Sequence, residues 1–68
     1  MLAERLKNLR LDRKLTQADV GHALAVSSQA IANYENGKRE PRIADLIKLA
    51  DYYDVSVDYL IGRTTSKK

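Results

Sequence analysis

Two helix-start signals lie eleven positions apart, at Thr16 and Ser27, and this spacing limits the fold more than any other feature of the sequence. Thr16 precedes Gln17, with Asp19 three residues after the cap, a variant of the capping box in which two side chains satisfy the free N–H groups of a helix start. Ser27 offers the same service to SQAIANYE. The first of these helices runs to about Leu24, so only a tight turn through Ala25 and Val26 separates it from the next cap. Units of this shape occur in ordinary helical bundles, and they also place their second helix in the major groove of DNA.

The remainder of the chain reads as helices around this pair. Leu2, Leu6 and Leu9 recur at helical spacing and predict an amphipathic first helix over roughly 2–13. After Glu35-Asn36-Gly37 stops the third helix, the polar loop KREPR leads to IADLIKLADYY, whose inward stripe is expected to be Ile43, Leu46, Ile47, Leu49, Ala50 and Tyr53. Ser56 caps a short fifth helix, VDYLI, which Gly62 ends. With one proline and three glycines the punctuation is too sparse for a turn-rich β fold, and the class is all-α. The expected domain spans 1–62. Residues 63–68, RTTSKK, are expected to be a flexible basic tail or the start of a linker to a further domain.

Composition removes several kinds of chemistry. There is no cysteine, and His22 is the one histidine, so thiol nucleophiles, iron–sulfur clusters, zinc fingers and a His-x-x-x-His metal pair are all excluded. No cofactor or metal is expected. The acidic residues are scattered without a partner set, which argues against an enzyme. His22 reads as a surface residue, and Tyr34, Tyr52, Tyr53 and Tyr59 as packing. No apolar run approaches the roughly 18 residues that span a bilayer, and a cytoplasmic protein without a membrane partner is expected.

The net charge of +3 is small, but its distribution is uneven. Lys38, Arg39 and Arg42 are opposed within their loop by Glu40 alone, while the stretch 51–58 carries Asp51, Asp54 and Asp58 and no cation. The basic end adjoins the two capped helices. If these bind DNA, the start and outer face of the third helix would read bases through Ser28, Gln29, Ala32 and Asn33. Gln29 and Asn33 stand four apart on one face, and each carries an amide suited to adenine. Phosphate anchoring would fall to Thr16, Gln17, Ser27, Asn36, Lys38, Arg39 and Arg42, from helix starts and the basic loop.

The segment TQADVGHALAVSSQAIANYENGKREP resembles the helix-turn-helix signature of the phage repressor-like, or Xre/Cro-type, regulators, and the resemblance continues through LIKLADYYDVSVDYLIG. Gln17, Gly21, the apolar positions Val20, Leu24, Val26 and Ile31, and the Glu35-Asn36-Gly37 end carry it. It implies a compact five-helix, lambda-repressor-like domain that dimerises on double-stranded DNA and regulates transcription, in the leading reading as a repressor at a near-palindromic operator. The runner-up is an antitoxin-like protein-interaction module with secondary DNA binding. The family usually has glycine where this chain has Ala25, so either Ala25 is strained or the turn differs. Gly21 is expected where the two helices approach closely. Arg10 and Glu35 match positions that form an interior ion pair in related repressors, with a phosphate contact as the alternative for Arg10. The apolar surplus of the fifth helix nominates Val57, Tyr59, Leu60 and Ile61 for a twofold homodimer contact, whether in solution or only on DNA.

Overall fold

Capping and apolar periodicity divide the chain into five helices, which the computed structural model describes over residues 1–68 as α1 (Leu2–Asp12), α2 (Gln17–Leu24), α3 (Ser28–Glu35), α4 (Ile43–Tyr53) and α5 (Val57–Leu60). The Thr16 hydroxyl accepts from the Asp19 N–H at 3.0 Å, and the Asp19 carboxylate accepts from the Thr16 N–H at 2.9 Å, a complete reciprocal cap. These bonds hold the exposed Asp19 carboxyl below its usual range. Ser27 accepts from Ala30 N–H at 3.0 Å and Ser56 from Tyr59 N–H at 2.9 Å, so each shorter helix begins at the hydroxyl its sequence offered.

α2 and α3 pack chiefly on each other, with α1 lying against α3 and α5, and α4 against α2 and α5. Leu6 and Leu9 of α1, Val20 and Leu24 of α2, Ile31 and Tyr34 of α3, Leu49, Ala50 and Tyr53 of α4, and Leu60 of α5 form one buried cluster. Tyr34 donates to the Asp45 carboxylate at 3.1 Å, joining the end of α3 to the first turn of α4. No helix is long and apolar enough to cross a membrane.

Two sequence expectations are corrected here. Ile43 and Ile47 do not line the core: Ile43 is 77% exposed and Ile47 49%, because they lie at the margin of the apolar stripe whose centre is the partly buried Leu46 and the buried Leu49, Ala50 and Tyr53. Leu60 is fully buried and cannot serve as a dimer contact, since on a one-turn helix its side chain is the inward anchor. Residues 63–68 make contacts with the domain. Arg5 of α1 donates to the Thr64 carbonyl at 2.7 Å and to that of Tyr59, its guanidinium lies 4.2 Å from the centre of the Tyr59 ring, and the Lys67 carbonyl accepts from Ser56 N–H at 2.7 Å. Lys68 reaches Asp54 at 2.5 Å and lowers its pKa, so the acidic stretch has a cation supplied from outside it.

Candidate nucleic-acid interface

The connection between α2 and α3 is set by two small residues. At Gly21 an added Cβ would stand 2.7 Å from the Val26 carbonyl oxygen and 3.2 Å from Ser27 backbone atoms, so the close approach is between α2 and the turn itself. Ala25 caps α2 at φ 60° and ψ 37°, a left-handed conformation that disfavours any residue with a Cβ. Of the two alternatives, Ala25 is the strained one: the left-handed step is made by a residue that carries a Cβ.

Beyond the turn, α3 is divided lengthwise. Ile31, Tyr34 and Glu35 face inward, while Ser28 and Gln29 are exposed and Ala32 and Asn33 are half-buried along the outer side. Gln29 Nε2 donates to Asn33 Oδ1 at 3.2 Å, so the two amides form one unit. The four base-reading candidates thus share one accessible strip. Asn36 closes the helix and Gly37 follows at φ 74°, the left-handed step that turns the chain into the basic loop. The Asn33 carbonyl then accepts from Lys38 N–H at 3.0 Å and from Arg39 N–H at 3.3 Å, which fastens the loop backbone to the last turn of α3.

Lys38, Arg39 and Arg42 are exposed, and none is paired with a carboxylate. Of the other phosphate candidates, Thr16, Ser27 and Asn36 are also exposed, but the Thr16 and Ser27 hydroxyls are already engaged as helix caps. Gln17 is half-buried and its amide donates to Glu35 Oε1 at 3.3 Å, leaving chiefly its backbone N–H at the helix start for an anion.

Beneath this surface Arg10 and Glu35 form a buried bidentate pair, Nε to Oε2 at 2.8 Å and one terminal nitrogen to Oε1 at 3.0 Å. The remaining terminal nitrogen donates to the Leu15 carbonyl at 2.8 Å. The Glu35 hydrogen bond holds the proton on Arg10 more tightly, outweighing the opposing effect of burial. The pair joins α1, the start of α2 and the end of α3. Arg10 is consequently committed to the interior and not to phosphate.

On the far side, Val57 and Tyr59 are half-buried and Ile61 is 40% exposed. With Leu60 inward and Tyr59 covered on one face by Arg5, the free apolar edge of α5 narrows to Val57 and Ile61. The sequence reading singled out neither Arg5 nor Arg13. Arg13 donates to the Tyr53 carbonyl at 2.6 Å, and both arginines bond to carbonyls whose positions no local pattern reveals.

This arrangement of a capped pair, a tight left-handed turn and an outward strip flanked by unpaired cations is that of a helix-turn-helix domain. A helix-turn-helix family profile matches residues 6–60, and the chain belongs to that family, in its phage repressor-like branch. It is 38% identical over 68 residues to the uncharacterised HTH-type transcriptional regulator YqaE of Bacillus subtilis, covering 100% of this chain and 59% of that protein. It is 36% identical to the HTH-type transcriptional regulator ImmR of the same organism, over 98% of this chain and 53% of that one. The cryptic phage CTXphi transcriptional repressor RstR of Vibrio cholerae is 36% identical over 91% of this chain and 55% of its own length. The chain therefore spans between half and three-fifths of the length of these relatives. Among solved structures, the P22 c2 repressor in complex with a synthetic operator superposes with a TM-score of 0.85 at 33% identity, covering 88% of this chain and 91% of that one.

Proposed function

We propose that this domain binds double-stranded DNA at a near-palindromic operator and represses transcription by occupying it, through binding alone and without a catalysed reaction. The observation that carries this reading is the junction of an accessible polar strip on α3 with an unpaired basic loop, two of whose cations, Lys38 and Arg39, are fastened to the same helix by the Asn33 carbonyl, with Arg42 following. Similarity to the named repressors, one of them solved on an operator, supports it. α3 enters the major groove with Ser28, Gln29, Ala32 and Asn33 toward the base edges, while Lys38, Arg39, Arg42 and the backbone N–H groups at the starts of α2 and α3 hold phosphates. A domain this small makes few contacts, so two copies share the site. Val57 and Ile61 on the free edge of α5 are the surface for that pairing, with half-sites one helical turn, roughly 34 Å, apart. The protein acts where the genome is, in the cytoplasm.

Selection of bound sites from random duplex DNA tests the reading. A two-fold site whose affinity falls steeply with added salt is the expected result, because each neutralised phosphate releases counterions. Failure to enrich any site overturns it. Lys38→Ala should weaken all sequences about equally and flatten the salt dependence.

A further inference from the structure

We propose that the outer face of α4 is a docking surface for a second copy of this chain, a contact separate from the α5 edge and built on a reciprocal Lys48–Asp51 pair. Lys48 and Asp51 are both exposed, and neither forms an ion pair, not even with the other, although they stand three apart on one helix. Ile47 beside them is 49% exposed. Lys48, Asp51 and Tyr52 also form one wall of an open groove of about 480 Å³, whose other wall is Ala23, Leu24 and Ala25 at the end of α2. The order of these residues around α4 decides which occupant the face fits.

At about 3.6 residues per turn, the sequence around the outward side of α4 is Ile47, Asp51, Lys48, Tyr52, opposite the buried Leu49, Ala50 and Tyr53. Ile47 and Lys48 lie one turn nearer the helix start than Asp51 and Tyr52. A twofold axis pointing outward between Lys48 and Asp51 exchanges both the two flanks and the two levels. It brings Lys48 of one copy opposite Asp51 of the other, and Ile47 opposite Tyr52 and the groove. Each contact then occurs twice, as an isologous interface requires. The charges match in pairs, so the face attracts its own copy, where a face of one sign would repel it. Tyrosine is a residue that interfaces favour, and the small side chains of Ala23 and Ala25 leave room beside it for the isoleucine. The contact uses no residue of the reading strip, the basic loop or the α5 edge. A chain with two different twofold contacts assembles beyond the dimer.

The test is sedimentation equilibrium of the 68-residue chain without DNA, beside variants at exposed positions. The unaltered chain is expected to associate reversibly at concentrations up to about 1 mM. Lys48→Asp sets like charges opposite each other twice and should weaken association roughly ten-fold. Adding Asp51→Lys restores opposite charges with their positions exchanged, and association should return to within about two-fold of the unaltered value. That recovery also separates a lost contact from a misfolded variant, which the second substitution would not repair. Ile47→Asp leaves the charged pair in place but sets a charge against the groove, and should weaken association as well. Ile61→Asp, which spoils the α5 edge, should leave a chain that still associates and still responds to Lys48→Asp. The proposal is overturned if the unaltered chain stays monomeric at about 1 mM, if Lys48→Asp or Ile47→Asp holds association within about two-fold, or if the exchanged pair does not recover it. It is equally overturned if Ile61→Asp alone abolishes association, which then belongs to α5.

Discussion

Arg10 uses all three of its nitrogens inside the protein, two on Glu35 and one on the Leu15 carbonyl, and this sets the cost of removing it. Arg10→Met leaves the Glu35 carboxylate buried with only the Gln17 amide as partner, a loss of about 3–5 kcal/mol in urea unfolding. Replacing both partners with apolar residues of similar volume should restore much of that stability, because the desolvated charge is then gone. The turn gives a second, opposed pair of outcomes. Gly21→Ala gains about 1 kcal/mol of helix propensity but drives a Cβ to 2.7 Å from a backbone oxygen, and overpacking of this kind costs about 1–3 kcal/mol, so the net change is destabilising. Ala25→Gly releases left-handed strain of about 1–2 kcal/mol against a somewhat smaller entropic penalty, and its melting temperature should rise.

Elements were legible in the sequence wherever a side chain caps its own helix. Thr16, Ser27 and Ser56 each accept from an N–H three residues on, a purely local interaction, and α2, α3 and α5 begin where they direct. Ser27→Ala should therefore cost about 1 kcal/mol and raise hydrogen exchange first at the amides of the opening turn of α3. Ile43 and Ile47 show the limit of periodicity, which marks a broad apolar stripe but does not tell its buried centre from its exposed margin. Leu60 shows the same limit on a single turn, where apolar residues surround the axis and inward cannot be told from outward. The candidate reading strip was legible because Gln29 and Asn33 are one turn apart. The engagement of Gln17 with Glu35, and of Arg5 with Thr64, depends on chain segments 18 and 59 residues away, and no local pattern reports such distances.

At the scale of the molecule, one buried phenol couples stability to alkaline pH. Tyr53 lies almost wholly inside the core, and burial, with the nearby Glu35 charge second, pushes its pKa up to about 12. The unfolded chain gives up this proton near pH ~10 while the folded one keeps it. Its contribution is thus intact below about pH 10 and is lost as pH rises through about 12. Chemical unfolding across that interval should show declining stability, and Tyr53→Phe should remove the part of the decline that this group causes. The charge pattern is likewise a whole-molecule property: a net +3 is modest, yet Lys38, Arg39 and Arg42 stand unpaired on one side while Asp54 is answered by Lys68 on the other. The Asn33 carbonyl, by accepting from Lys38 and Arg39 together, ties the basic loop to α3 as one piece. A duplex meeting that piece has no segment to fold, so calorimetry of complex formation should give a heat-capacity change matching the surface covered, with no added increment from coupled ordering.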